Sequence, residues 1–229
     1  MNRPAKPEGI LATRDIIVIG ASAGGVQALS TLVADLDPNL PAAVFIVLHI
    51  SAKGPSLLPS ILAREAMLKV AHAVNGEPIQ RGRLYVAPPD QHLIIEDGRV
   101  RLVHGPKENL HRPSIDALFR SAARCAGSRV IGVVLTGARD DGKVGMRAVQ
   151  QRGGITIVQD PLEAPFPSMP LSVMQEIQVD YSLPLREIAL LLNTLSREVA
   201  GEEERYPVPD NIEIESRIAE QKMESTVNR

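Results

Sequence analysis

Four short runs punctuate the chain: Ile16–Ile19, Ala43–Leu48 and Val130–Leu135, which hold no polar side chain, and Ile155–Val158, broken only by Thr156. Runs of this length without polar alternation suit strands buried on both faces, as in a parallel sheet. Between them the apolar residues change to helical spacing. Val26, Leu29, Leu32, Val33 and Leu36 form one stripe; Ile115, Leu118, Phe119, Ala122 and Ala126 form another. Lys143–Arg152 and Leu185–Val199 read as further helices, with shorter ones from about Leu57 and over Leu171–Ile177. Parallel strands joined through helices make right-handed crossovers. The predicted fold is therefore α/β: a doubly wound, mostly parallel sheet with helices on both faces.

The middle of the chain departs from this rhythm. Lys69–Ala73, Leu84–Ala87, His92–Ile95 and Val100–Val103 read as short strands, and Asp97-Gly98 is a hairpin turn signal. Leu84–Ala87 and the two strands after it are expected to form a small antiparallel hairpin extension beside the parallel core. Pro113 is expected in the first turn of the helix over Ile115–Ala126. Gln159–Pro170, with four prolines and two acids, reads as a rigid loop across the C-terminal sheet edge, and Val179–Tyr181 as extended. The chain divides into an N-terminal arm (1–13), a single domain (14–200) and a C-terminal tail (201–229). The tail carries eight acidic and four basic residues, which makes it −4 and the first 200 residues +2. It is expected to be mobile and poorly packed, or to bind a partner.

Composition narrows the possibilities. With 229 residues and 44% hydrophobic content, one well-packed domain is within reach. A net charge of −2, 3% aromatics and no Trp argue against a nucleic-acid partner. The single cysteine, Cys125, falls in a helical pattern and excludes an intramolecular disulfide. No stretch approaches the ~18 apolar residues of a membrane span, and the first 14 residues lack the apolar core of a secretion signal. A cytoplasmic protein without direct membrane insertion is the expectation.

Chemistry concentrates after the first run, where Gly20-Ala21-Ser22-Ala23-Gly24 matches Gly-x-Ser-x-Gly. Such a strand-to-helix turn can hold a nucleophilic serine or cradle a phosphate. The second run ends at His49, where a dinucleotide site would want an acid for the ribose hydroxyls. The third run leads into Thr136–Gly142, which contains Asp140-Asp141. Parallel strands thus bring Ser22, His49 and an aspartate to one sheet edge, the edge at which open α/β sheets bind ligands. Each residue alone is a weak signal; together they point to a serine hydrolase, with histidine as base and carboxylate as its orienting partner. His72, His92, His104 and His111 make no metal-ligand spacing, so neither metal nor cofactor is expected. His111-Arg112 reads as a solvated pair or as facing the site; Met169 reads equally as core or as substrate contact.

The chain resembles the catalytic domain of the bacterial chemotaxis protein-glutamate methylesterases. The matching blocks are Ile-Gly-Ala-Ser-Ala-Gly-Gly (19–25), Val-Leu-His (47–49), Tyr-Val-Ala-Pro (85–88), His-Arg-Pro-Ser-Ile-Asp (111–116), Val-Val-Leu-Thr-Gly (133–137), Asp-Asp-Gly (140–142), Gly-Gly-Ile-Thr-Ile-Val-Gln-Asp (153–160) and Met-Pro (169–170). The resemblance covers about residues 14 to 196. It implies Ser22 as nucleophile, His49 as general base and Asp141 as orienting acid, with the backbone N–H groups of Ala23 and Ala138 as oxyanion hole. It further implies hydrolysis of glutamate methyl esters on chemoreceptor-type signalling proteins, with some glutamine deamidation. Arg112, Arg139 and Met169 are the expected cleft residues. Three departures from the family stand out. Only 14 residues precede the first strand, where a phospho-accepting receiver domain is usual, so a separate regulatory partner is an expectation. Ala138-Arg139-Asp140-Asp141-Gly142 stands where Met-Gly-Asn-Asp-Gly is common. Ile50-Ser51 stands where Met-Pro is usual, and Pro167-Ser168 where Phe-Gly is frequent. These changes motivate an alternative, a non-catalytic methylesterase-like binding module in a signalling complex.

Overall fold

The structure, a computed structural model, describes residues 12–49, 56–202 and 206–220. Seven parallel strands form the central sheet: β1 (Ile16–Ala21), β2 (Ala43–Leu48), β3 (Lys69–His72), β4 (Arg83–Val86), β7 (Val130–Val134), β8 (Ile155–Gln159) and β9 (Tyr181–Leu183), in the order β3-β4-β2-β1-β7-β8-β9. The intervening β5 (His92–Glu96) and β6 (Arg99–Val103) pair antiparallel as a separate hairpin. β1 is the axis. Ile16 pairs with Ala43 on one side and with Val130 on the other, so the sheet grows outward from β1 in both directions.

All six residues of β1 and all six of β2 are buried, which is why these strands read as apolar runs. Their side chains alternate between two cores. Val18, Phe45 and Val47 face the hairpin, α3 (Ile115–Ala126), α4 (Lys143–Gln151) and α5 (Ser168–Glu176). Ile17, Ile19, Val44 and Ile46 face α1 (Gly25–Ala34), α2 (Leu58–Leu62) and α6 (Leu185–Leu195). Residues 50–55, including Ile50-Ser51, and residues 1–11 of the expected arm lie outside the described residues.

Several sequence expectations need correction. β4 belongs to the parallel sheet, between β2 and β3, and not to the hairpin extension. Leu84, Tyr85 and Val86 are buried on both faces, and Tyr85 stacks on Phe45 with ring centroids 4.9 Å apart. The ten residues that link β3 to β4 hold no helix. Val26 leaves the predicted stripe and is 43% exposed, at the sheet edge. Pro113 lies outside the helix, whose N-cap is Ser114. α5 starts at Ser168, inside the predicted loop. α6 ends at Leu195, because the chain then turns back so that Val199 bridges Thr13.

The described part of the tail is not loose. α7 (Asp210–Glu220) packs on α3, with Ile212, Ser216 and Ala219 buried. Its acids meet the arginines of α3: Arg120 Nε lies 3.5 Å from Glu215, and Arg124 3.9 Å from Glu213. The charge that suggested solvation is partly neutralised across this helix pair.

Candidate active site

Chain connectivity makes the C-terminal edge of β1 the place where the two halves of the sheet diverge. β1 leads through α1 to β2 on one side, and the chain later returns to β7 on the other. Ser22 is the first residue beyond β1. Its N–H donates to Thr136 O (3.0 Å) and its carbonyl accepts from Gly25 N–H (2.9 Å), which ties the turn to the strand end of β7. Gly24 has φ +74°, a left-handed conformation strained for any residue with a Cβ. That turn starts α1 directly behind Ser22 and aims the helix N-terminus at the space above the hydroxyl.

His49 follows β2, and its backbone N–H donates to Ala21 O (3.2 Å). Nδ1 lies 3.2 Å from Ser22 Oγ, and Nε2 lies 2.7 Å from Asp141 Oδ2. The ring therefore turns Nδ1 to the serine and Nε2 to the acid, opposite to the arrangement in chymotrypsin-like enzymes. The tautomer this geometry calls for carries its proton on Nε2, leaving Nδ1 free to accept from Ser22. The imidazole is 5% exposed and the Asp141 side chain 1%.

Asp141 is held by more than histidine. Oδ2 also accepts from Ile115 N–H (2.8 Å), and Oδ1 accepts from Asp116 N–H (3.1 Å), Ser114 Oγ (3.0 Å) and Asn109 Nδ2 (2.9 Å). Its carboxylate thus occupies the N-terminus of α3, where helix N–H groups favour negative charge. Burial works against ionisation, but the His49 hydrogen bond and charge and these further donors outweigh it and hold the carboxyl down at about 2. Asp116 has the opposite fate. Burial, reinforced by the neighbouring Asp141 charge, pushes it up to about 7.

The loop after β7 forms the other wall. Gly137 N–H donates to Phe166 O (2.9 Å), Met169 N–H to Gly137 O (3.1 Å) and Arg139 N–H to Ser168 Oγ (3.1 Å). These bonds hold the peptide of Ala138 in place, yet its N–H has no acceptor among the described residues, and the same is true of Ala23 N–H. A cleft of about 380 Å³ opens between Ser22, Gly24, Gly25, Val26, Gln27, Leu48 and His49.

Not all the expected cleft residues line it. Arg139 is exposed on the loop beside Asp141. Arg112 turns away: it binds Asp90 Oδ1 (2.8 and 3.0 Å) and Gly105 O (2.6 Å), and its side chain is 9% exposed. Met169 is fully buried beneath Gly137, so it is core and not a substrate contact. His111, in contrast, does face the site. Its ring stacks on His49 with centroids 3.6 Å apart and planes 3° apart. Burial, then the adjacent His49, holds its pKa below the usual histidine value. Asn109, Ser114 and Asp116 were not singled out from sequence; a polar loop leading into a helix carries no local mark of a partner 25 to 32 residues away. Among the described residues no group of three or more His, Cys, Asp or Glu side chains is arranged to hold a metal, and no helix is long and apolar enough to cross a membrane.

Comparison with known proteins places this geometry in context. The family model for CheB methylesterase matches residues 17–192. A putative protein-glutamate methylesterase/protein-glutamine glutaminase of Leptospira interrogans is 40% identical over 184 residues, which cover 80% of this chain and 95% of the relative. A protein-glutamate methylesterase/protein-glutamine glutaminase of Anaeromyxobacter dehalogenans is 38% identical over 183 residues, covering 80% of this chain but 54% of the relative. The chain thus spans nearly all of the first relative and about half of the second. The crystal structure of the Thermotoga maritima CheB methylesterase catalytic domain superposes with a TM-score of 0.74 at 34% identity, covering 79% of this chain and 98% of that one.

Proposed function

The chain belongs to the CheB methylesterase family, and we propose that it hydrolyses glutamate γ-methyl esters on a chemoreceptor-type signalling protein, with Ser22 as nucleophile. The observation that carries this reading is the continuous hydrogen-bonded chain Ser22–His49–Asp141 at the C-terminal sheet edge. A serine hydroxyl becomes a competent nucleophile when a neighbouring base takes its proton. In this reading His49 Nδ1 takes the Ser22 proton as Oγ attacks the ester carbonyl, and Asp141 stabilises the resulting imidazolium. The N–H groups of Ala23 and Ala138 donate to the oxyanion; one such donor is worth ~2.7–4 kcal/mol in the transition state. Collapse expels the methoxy group, which leaves as methanol with the proton from His49. Water then attacks the Ser22 ester, gives its proton to His49, and glutamate and free Ser22 are regenerated. A glutamine amide would follow the same route with ammonia leaving, which fits the second activity in the relatives' names.

Arg139 is the cleft residue retained in this reading: an exposed cation beside the site suits a substrate surface rich in carboxylates. A methylated signalling domain on the inner side of the membrane would put the protein in the cytoplasm. The alternative, an idle scaffold that only binds a signalling partner, differs in one cheap experiment. A fluorophosphonate probe should form a covalent adduct on Ser22, located by peptide mass spectrometry. No adduct on the folded protein would favour the scaffold.

A further inference from the structure

The turn that precedes α3 touches both His49 and Asp141. Glu108 and His111 close it with paired backbone hydrogen bonds of 3.1 and 2.8 Å, and Asn109 and Leu110 between them have φ of 50° and 71°. Two consecutive left-handed residues make a tight turn, and asparagine tolerates that conformation better than most side chains. Glu108 is anchored to α3 by Arg120, whose Nη2 lies 2.7 Å from each carboxylate oxygen. The turn is thus fixed at its base, with its tip against the site.

From that tip the Asn109 amide reaches between two acids. Nδ2 donates to Asp141 Oδ1 (2.9 Å) and to Asp116 Oδ2 (2.8 Å), which uses both of its hydrogens. We propose that Asn109 is a positioning residue for the hydrolytic site, its amide holding the Asp141 carboxylate in the rotation that points Oδ2 at His49. This rests on the hydrolase reading above and adds a residue to it. Of the donors on Asp141 Oδ1, Ser114 Oγ and Asp116 N–H both come from the start of α3; Asn109 alone arrives from a separate segment and fixes the third direction. It also separates Asp141 from Asp116. Without the amide, Oδ1 of one acid would face Oδ2 of the other with no donor between them, and a proton shared by the pair would compete with His49 for Asp141. A cavity of about 380 Å³, lined by Glu108, Asn109, Asp116 and Arg120 among others, lies directly behind. Asn109 and Asp116 both line that cavity, whereas Asp141 does not.

Two variants test this. Asn109→Gly keeps the left-handed turn and deletes the amide; Asn109→Asp keeps the shape and turns the donor into an acceptor. Fluorophosphonate labelling of Ser22, followed by intact mass at several probe concentrations, should slow about 10- to 100-fold in its maximal rate, the range set by losing one hydrogen bond to a charged group. The probe's half-saturating concentration should not change, because Asn109 does not touch the cleft. A merely structural role would instead lower the melting temperature and leave the maximal rate of the folded fraction intact. In parallel, the downfield proton resonance of the His49 Nε2–H···Asp141 hydrogen bond should shift or vanish in both variants. Wild-type labelling rates with an unmoved resonance in the folded variants would overturn the proposal. If the wild-type protein takes no label, the hydrolase reading fails, and the resonance alone then decides what Asn109 holds.

Discussion

Asp116 and Asp141 cap each other's helices. Asp116, in the first turn of α3, accepts from Gly142 N–H (3.0 Å) and Gly145 N–H (2.7 Å) at the start of α4. Asp141, just ahead of α4, accepts from Ile115 and Asp116 N–H at the start of α3. Each helix start has orphan N–H groups that need acceptors, and here each finds its acceptor on the neighbouring helix or its approach. The docking of α3 on α4 and the direction in which Asp141 points are consequently one constraint.

That pair should leave a mark on stability against pH. Asp116 is raised to about 7, so the folded protein keeps a proton that the unfolded chain releases near pH 4. Its contribution is fully present below that pH and is lost as pH rises through about 7. Asp141, held near 2, contributes above pH 4 and loses its contribution as pH falls towards 2. Asp116→Asn should therefore flatten the fall in urea midpoint between pH 4.5 and 7.5. The same slope in wild type and variant would contradict the assignment.

Gly137 should tolerate no side chain. A Cβ there would overlap Met169 Sδ and sit 2.9 Å from Ser22 Cβ. Overpacking of this kind costs about 1–3 kcal/mol of stability, but the same displacement would move both Ser22 and the Ala138 N–H. Gly137→Ala should lose about 100-fold or more in ester hydrolysis, the scale of one misplaced oxyanion donor. Steady-state rates beside a thermal melt separate the two losses, and activity should suffer more.

His111 gives a graded expectation. A stacked ring pair is worth ~0.5–1.5 kcal/mol, so removing the platform under His49 should lower kcat by a few-fold to about ten-fold. His111→Ala should show that loss, whereas His111→Phe, which keeps a flat ring without a titrating nitrogen, should stay close to wild type. Equal kcat in wild type and His111→Ala would mean that the stack holds nothing the reaction needs.

The parallel core is legible in the sequence because β1, β2 and β7 are buried throughout and carry no polar side chain, while β8 adds only the buried Thr156 and Gln159. β4 was misplaced for a local reason. Leu84–Ala87 is as short as the hairpin strands that follow it, and nothing in four residues says whether the neighbour is parallel. α7 was missed because Ile212, Ser216 and Ala219 alternate with acids whose partners, Arg120 and Arg124, lie about 90 residues earlier. At the site, converging strand ends point to Ser22, His49 and one of Asp140 and Asp141, and only the family resemblance singles out Asp141. Asn109 and His111 gain their positions only from the packing of the turn before α3, and Asp116 from the docking of α3 on α4. For Arg112 and Met169 the sequence leaves a site-facing and a non-site reading open, since proximity in sequence to the site says nothing about where a side chain turns.

The most direct test of the account is methanol release from a methylated chemoreceptor cytoplasmic fragment, measured for wild type and for Ser22→Ala with matched melting temperatures. Wild type should release methanol, and Ser22→Ala should fall to background. Methanol release by Ser22→Ala at the wild-type rate would contradict the account.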